Sequence, residues 1–302
     1  MIASREMHGM ALRRWFKDAG PAMRSSVCRE ADFSAPWYGR WVRRIAAGAP
    51  DLAAEQQAVW GAVWAGMRGR WLHRKLWEWA AIAQALDERG ALAPGRSGVG
   101  FAVGTEPLAS LFAARGASVL ASDYAPGAGS WAATGQLAGA LDAVHWPGLV
   151  SRDAFQRRVG FRSIDMRDLA DMPREHFDFA WSSCSFEHLG SLQAGAEFVR
   201  NAMALIKPGG LAVHTTEINV SSDAGTIEAG DSVIYRRRDI EDLDRSLRPH
   251  ACGIEALDFD PGTGPHDLAF DVPPYYRSGR QHVKIALGGY VSTSILLIVR
   301  KG

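Results

Sequence analysis

The sequence predicts an α/β fold, a doubly wound sheet, and two stretches carry that expectation. The first is 98–123, GVGFAVGTEPLASLFAARGASVLASD. Val99, Phe101 and Val103 make the apolar run of a buried strand, and Gly104 lets the backbone turn tightly. Leu108, Leu111, Phe112 and Ala114 supply one face of a helix. Val119 and Leu120 begin a second strand, which stops at Ser122-Asp123. Strand, turn, helix and strand, with a terminal acid about 20 residues past the turn, form the nucleotide-cofactor half of such a fold. The helix N-terminus there faces an anionic group, and the acid accepts hydrogen bonds from ribose hydroxyls. The second stretch is 177–216, in which FDFAWSSC and LAVHTT read as strands and a helix over 193–206 stops at KPGG.

The glycines separate two cofactor classes. A dinucleotide site wants G-x-G-x-x-G, because backbone must approach a pyrophosphate closely. This chain has Gly98, Gly100 and Gly104, then Glu106 and Pro107 where phosphates would lie. Glu106 can cap the helix and Pro107 suits its first turn. A carboxylate at that place repels a pyrophosphate but can hold an ammonium group. The stretch resembles motif I of class I S-adenosylmethionine-dependent methyltransferases. It departs from their acid-x-Gly-x-Gly-x-Gly pattern, with Gly100 for the acid, Ala102 for the first glycine and Glu106 for the last. The run F-D-F-A-W-S…F-E-H-L…L-I-K-P-G-G-L resembles the fourth and fifth motifs of the same family, so the likeness spans about 95–220. It implies a Rossmann-like sheet of seven strands whose last strand inserts antiparallel. It also implies S-adenosylmethionine as cofactor, held by Ala102, Val103, Gly104, Glu106, Asp123, Tyr124, Asp165, Met166 and Ser183.

Composition bounds the rest. The 302 residues suffice for one large α/β domain and an accessory segment. With 34 basic and 33 acidic residues the net charge is +1, so no global field steers the chain to nucleic acid or an anionic membrane. Three scattered cysteines, without a C-x-x-C, suggest neither a disulfide framework nor a zinc site. The first 15 residues lack the apolar core and cleavage site of a leader, and no apolar run reaches membrane length. The expectation is a soluble, cytoplasmic protein whose oligomeric state, a homodimer included, stays open.

Residues 1–92 read as a helical lid or accessory segment and 93–302 as the cofactor-binding domain. Eight of the eleven tryptophans precede residue 92: Trp15, Trp37, Trp41, Trp60, Trp64, Trp71, Trp77 and Trp79. Trp37/Trp41 and Trp60/Trp64 are spaced i,i+4, so each pair shares a helix face. One long helix is expected from the Pro50-Asp51 cap to about Gly90. Its indoles read as core packing or as an aromatic wall over a substrate pocket, with His73, Arg74 and Trp77 the residues nearest that role.

Further along, short helices are expected near 131–141 and 153–157, and a third strand over 161–165. The family likeness places Asp165 on the adenine amino group and Met166 on the ring; the plainer reading has Asp165 capping 167–169. A helix from 235 to about 247 precedes a sixth strand over 253–259, and the seventh runs over 289–299. The irregular segments 218–233 and 260–284 are long enough to be functional.

Methyl transfer from a sulfonium is an in-line displacement, so alignment does much of the work and a base is needed only for a protonated nucleophile. His188, beside Glu187 and just past the fourth strand, has an ordinary pKa of about 6.5 that suits a base. Glu187-His188 reads equally well as a helix cap. His214 and Glu217, at the end of the fifth strand, are a second pair: base, substrate anchor or metal ligands. Their spacing is not diagnostic of a metal, and none is expected. Trp77, His73, Arg237 and Tyr290 are the candidate substrate contacts. Arg236–Arg238, His282 and Lys284 are candidates for an acidic substrate group. H-T-T-E at 214–217, the Y-R-R-R run and Y-V-S-T-S at 290–294 are similar to bacterial methyltransferases encoded among glycan-assembly enzymes. The expected function is methyl transfer to oxygen of a small molecule or glycan. The alternatives are a non-catalytic module on the same fold and a nicotinamide-dependent oxidoreductase, which Glu106-Pro107 argues against.

Overall fold

A computed structural model describes residues 23–50, 54–124 and 136–302; Trp15, Trp131 and the first five residues of the helix expected near 131–141 lie outside the described residues, while 136–140 are not helical and a single 3-10 turn follows at Leu141–Val144. Eight strands form one sheet: β1 Ser97–Phe101, β2 Ser118–Asp123, β3 Val159–Ser163, β4 Phe177–Ser183, β5 Ile206–Asn219, β6 Cys252–Ile254, β7 Ile285–Leu287 and β8 Tyr290–Lys301. The order is β3-β2-β1-β4-β5-β8-β6, with β7 also on β8. The strands from β3 to β5 are parallel, and β8 lies antiparallel between β5 and β6. The order reverses between β1 and β4, the switch point where such sheets open a crevice at the carboxyl ends of their strands.

Period-2 alternation sorts the strand residues onto two buried faces. Phe179, Trp181, Leu211, Val213, Leu296 and Ile298 face one apolar cluster, together with the N-terminal helices. Val99, Phe101, Ala180, Ala212, Leu297 and Val299 face the other. The first cluster is covered by α1 Pro36–Gly48, α2 Ala54–Met67, α3 Arg74–Glu88 and α4 Leu108–Arg115. The second holds residues of α6 Leu192–Ala204 and α7 Arg237–Leu247, while α5 Arg152–Arg158 packs beside α4 and β3.

Several expectations change. The long helix is two, α2 and α3, because the chain turns at Gly69 (φ 70°) and the His73 side chain accepts the Lys75 amide to start a new helix. The third strand lies two residues earlier than expected. KPGG does not precede β5 but forms an irregularity within it, with the register shifting between Phe177 and Phe179. β7 makes the sheet eight-stranded. Glu106 caps nothing: Pro107 stands at the α4 N-cap without a side-chain bond.

The first two motif glycines are packing positions. Gly98 pairs with Phe179 and Gly100 with Trp181 across β1 and β4. A Cβ at either would stand 2.2 Å from the facing ring. Most of the described N-terminal indoles are core. Trp77 is fully buried and donates to Asp32 at 2.9 Å, and Trp60 packs against Trp64 and Trp79. Among the described residues no helix is long and apolar enough to cross a membrane.

Candidate active site

Two cavities open at the switch point. The first, of about 230 Å³, is lined by the ends of β1 to β4. Gly104 (φ 53°) turns the chain there, and a Cβ on it would meet the Gln136 carbonyl at 2.7 Å. Asp123, at the end of β2, accepts the amides of Gly104 (3.2 Å), Tyr124 (2.8 Å) and Ala138 (2.9 Å). A carboxylate offers about four acceptor positions, so one stays open to a ligand hydroxyl. Burial raises its pKa above the ordinary value. Ala102 lies in the left-handed region that favours glycine (φ 47°) and keeps the turn at a cost of about 1–2 kcal/mol. Of the nine expected cofactor residues, eight line this cavity. Val103 does not: it is buried, and its amide bonds the Ser122 carbonyl. Asp165 lines the cavity while Arg167 grips its carboxylate at 2.7–3.2 Å.

Glu106 reaches α3 instead of its own helix. Its Oε1 lies 3.4 Å from Lys75 Nζ, and its buried Oε2 has no hydrogen-bond partner among the described residues. Burial pushes its pKa up to about 7. Lys75 also meets Glu78 at 2.7 Å and the Ser183 carbonyl at 3.3 Å. Burial opposes ionisation of Glu78, but Lys75 and Arg74 outweigh it and hold the carboxyl below its ordinary value.

The second cavity, of about 360 Å³, shares Trp60, Lys75, Gln136, Cys184 and His188 with the first. His188 Nδ1 lies 2.8 Å from the Asp231 carbonyl, which assigns the proton to that nitrogen and a lone pair to Nε2. Burial lowers its pKa below the usual value. Glu187 is fully buried; Thr216 donates to Oε2, while Oε1 has no hydrogen-bond partner among the described residues. Burial, then the charge of Glu217, pushes its pKa to about 8. Glu217 is paired with Arg74 at 2.5 Å and accepts Ser292 at 2.5 Å. Cys184 Sγ and carboxylate oxygens of Glu187 and Glu217 lie within 4.8 Å of one another. That grouping leaves a metal little room, since Arg74 and Ser292 already engage both oxygens of Glu217.

The structure separates the expected catalytic and substrate residues. His188, Glu187, Glu217 and His73 line the second cavity. His214 does not. It stands three residues before Glu217 on the same strand, an odd step, so the two side chains leave opposite faces. Its ring is fully buried against Phe186 and Phe198, with Nδ1 2.8 Å from Ser182 Oγ, and burial drives its pKa down to about 3. Trp77 is core. Arg237 is exposed, pairs with Glu241 and lies over Phe259. Tyr290 lines neither cavity. Lys75, Glu78, Gln136 and Tyr276 escaped the sequence reading. The acid Glu78 inside the apolar LWEWAAI was the one available signal.

The family described as a methyltransferase domain matches residues 98–214. Comparison with curated proteins gives no match. Among solved structures, the chain is similar to an S-adenosylmethionine-dependent methyltransferase from Mesorhizobium loti (15% identity, 72% of this chain and 96% of that one, TM-score 0.44). It is similar to magnesium protoporphyrin IX methyltransferase from Synechocystis PCC 6803 (13%, 90% and 97%, 0.44). It is also similar to the [4+2]-cyclase SpnF (17%, 84% and 98%, 0.49). The residues that line the first cavity fit the cofactor: Asp123 keeps an acceptor position for a ribose hydroxyl, and Glu106 presents a buried oxygen without a hydrogen-bond partner among the described residues, as an ammonium group would need. The match spans 98–214, under half of the 302 residues, and supports a methyltransferase domain in that segment.

Proposed function

We propose that the second cavity takes a small-molecule or glycan acceptor and that the enzyme methylates an oxygen of it. The observation that carries this reading is the wall common to both cavities, above all His188 and Cys184. Bound S-adenosylmethionine supplies a methyl group on a sulfonium, a good leaving group. The residues proposed to hold it are Asp123 and Tyr124 for the ribose, Asp165 and Met166 for the adenine, and Ser183 beside the methionine end. Glu106 and Lys75 are proposed to meet the ammonium and carboxylate of that end. His188 is proposed as the base. Its neutral Nε2 accepts the acceptor proton as the oxygen–carbon bond forms and the carbon–sulfur bond breaks, leaving a neutral thioether. Residues 1–92 are proposed as an integral accessory segment, because Trp60, His73, Arg74 and Lys75 wall the cavities.

Calorimetric titration with S-adenosylmethionine, its demethylated product and NAD, followed by an assay for methyl transfer to hydroxyl compounds, tests the reading. Binding of the first two without NAD, with methyl ethers formed, is the expected result. Cofactor binding with transfer to nitrogen or carbon alone would remove the oxygen assignment, and binding without any transfer would favour a non-catalytic module.

A further inference from the structure

The second cavity has a wall that the methyl-transfer chemistry does not use. It is built where the start of α3 meets the loop before β7. Asp271 is fully buried, and its carboxylate accepts the amides of Val272 and Tyr276 (both 3.0 Å), Ser278 Oγ (2.7 Å) and His282 Nδ1 (2.9 Å). That bond assigns the His282 proton to Nδ1 and leaves a lone pair on Nε2. His73 Nδ1 accepts the Lys75 amide at 3.1 Å, so its proton sits on Nε2, 3.2 Å from Tyr276 Oη. The phenolic hydrogen is then directed at His282 Nε2, but across a loose 3.5 Å. A hydroxyl entering the cavity can close on that lone pair at ordinary hydrogen-bond distance.

Tyr276 adds a second observation. It is a bulky residue in the left-handed region (φ 68°), and its side chain is exposed. A conformation this costly persists only where its surroundings hold it, and such residues gather at functional sites. Here the Asp271 carboxylate holds it through the Tyr276 amide.

Charge narrows the ligand class. Both cations on the cavity are paired, Arg74 with Glu217 and Lys75 with Glu78. Burial keeps His73 and His282 below their ordinary pKa, His282 at about 4, and keeps the Glu187 carboxyl protonated at neutral pH. The wall therefore offers hydrogen bonds without a free charge among the described residues. Trp60, Tyr275 and Leu287 add apolar faces.

We infer that His282, positioned by Asp271, and Tyr276, positioned by His73, form a hydroxyl-binding subsite for a neutral, polyhydroxylated portion of the acceptor. This rests on the reading of the second cavity as the acceptor site. A single phenolic or alcoholic group would leave most of these donors and acceptors unmatched, whereas a sugar carries hydroxyls on several edges and apolar faces for the rings.

Three monosaccharides of one shape and different charge test it: methyl glucoside, glucuronate and glucosamine, observed by saturation-transfer NMR on protein loaded with S-adenosylhomocysteine. Methyl glucoside should bind at least fivefold more tightly than either charged sugar. His282→Leu and Tyr276→Phe should each weaken it tenfold or more while changing S-adenosylhomocysteine affinity less than twofold. Tyr276→Phe removes one oxygen from an exposed side chain and guards against a folding defect in the other variant. Equal binding of the three sugars, preference for a charged one, no sugar binding to the loaded protein, or indifference to both substitutions would each overturn the subsite. Failure of S-adenosylhomocysteine itself to bind would instead bring down the cofactor reading, and the subsite with it.

Discussion

The two cavities are built by different means. The first is made at consecutive strand ends within 102–189, plus Trp60 and Lys75 from the N-terminal helices and residues near Gln136. The second joins α2 and α3 to the turn after β4, the end of β5 and the loop before β7, segments up to about 230 residues apart in sequence. Contacts of short sequence separation follow from the order of strand and turn patterns. Contacts of long separation depend on how helices lie on the sheet. A cavity made mainly in the first way, as proposed for the cofactor, can be read from a motif. One made in the second, as proposed for the acceptor, cannot.

The largest expected effect breaks that division from the accessory side. Deleting residues 1–90 should abolish cofactor binding or leave aggregated protein, since α1–α3 cover one face of the sheet and Lys75 reaches the first cavity. A soluble truncation with full cofactor affinity by calorimetry would show the first cavity to be self-sufficient.

Next comes the base. His188→Ala should lower turnover by about 10²–10⁴ with cofactor affinity nearly intact. Because burial lowers its pKa, the parent rate should rise with pH through an ionisation below about 6.5 and stay level above it. The variant should lose that limb. His214→Ala should lower the melting temperature instead, by removing a buried ring between Phe186 and Phe198. A large catalytic loss in His214→Ala alone would reverse the assignment.

Gly100→Val and Asp123→Ala sharpen the contrast within the motif itself. The valine would press on Trp181 and should cost about 1–3 kcal/mol of stability, read by denaturant unfolding. Asp123→Ala should weaken S-adenosylmethionine binding by about 1–3 kcal/mol through the lost charged acceptor. A normal unfolding curve for the first variant, or parental affinity in the second, would contradict these roles.

Glu106 gives a smaller, pH-dependent effect. Its pKa stands near 7 because burial disfavours the charged form, and an ammonium partner requires that form. S-adenosylmethionine affinity should therefore rise by up to about tenfold from pH 6 to pH 8, since ligand binding expels the carboxyl proton. Glu106→Gln should flatten the profile, and a parent profile already flat would exclude the ammonium contact. Smallest of all is Arg237→Ala, which should leave turnover and cofactor affinity unchanged because the residue lines neither cavity.

What the sequence by itself determined is the architecture and the cofactor edge of the sheet. The apolar runs at 99–103, 119–123 and 177–183 and the turn at Gly104 are local patterns, and their order dictates parallel strands with a crevice at their carboxyl ends. The tertiary structure alone decided which side chains share that crevice. Period-2 parity on β5 sends Glu217 to Arg74 and buries His214 on the other face. The pairing of β1 with β4 turns Gly98 and Gly100 into space for Phe179 and Trp181. The packing of α3 brings Lys75 to Glu106, and β7 draws His282 and Tyr276 beside His73. In each case the partner lies far along the chain, and the choice among faces or neighbours is made by burying apolar surface, which no local pattern records.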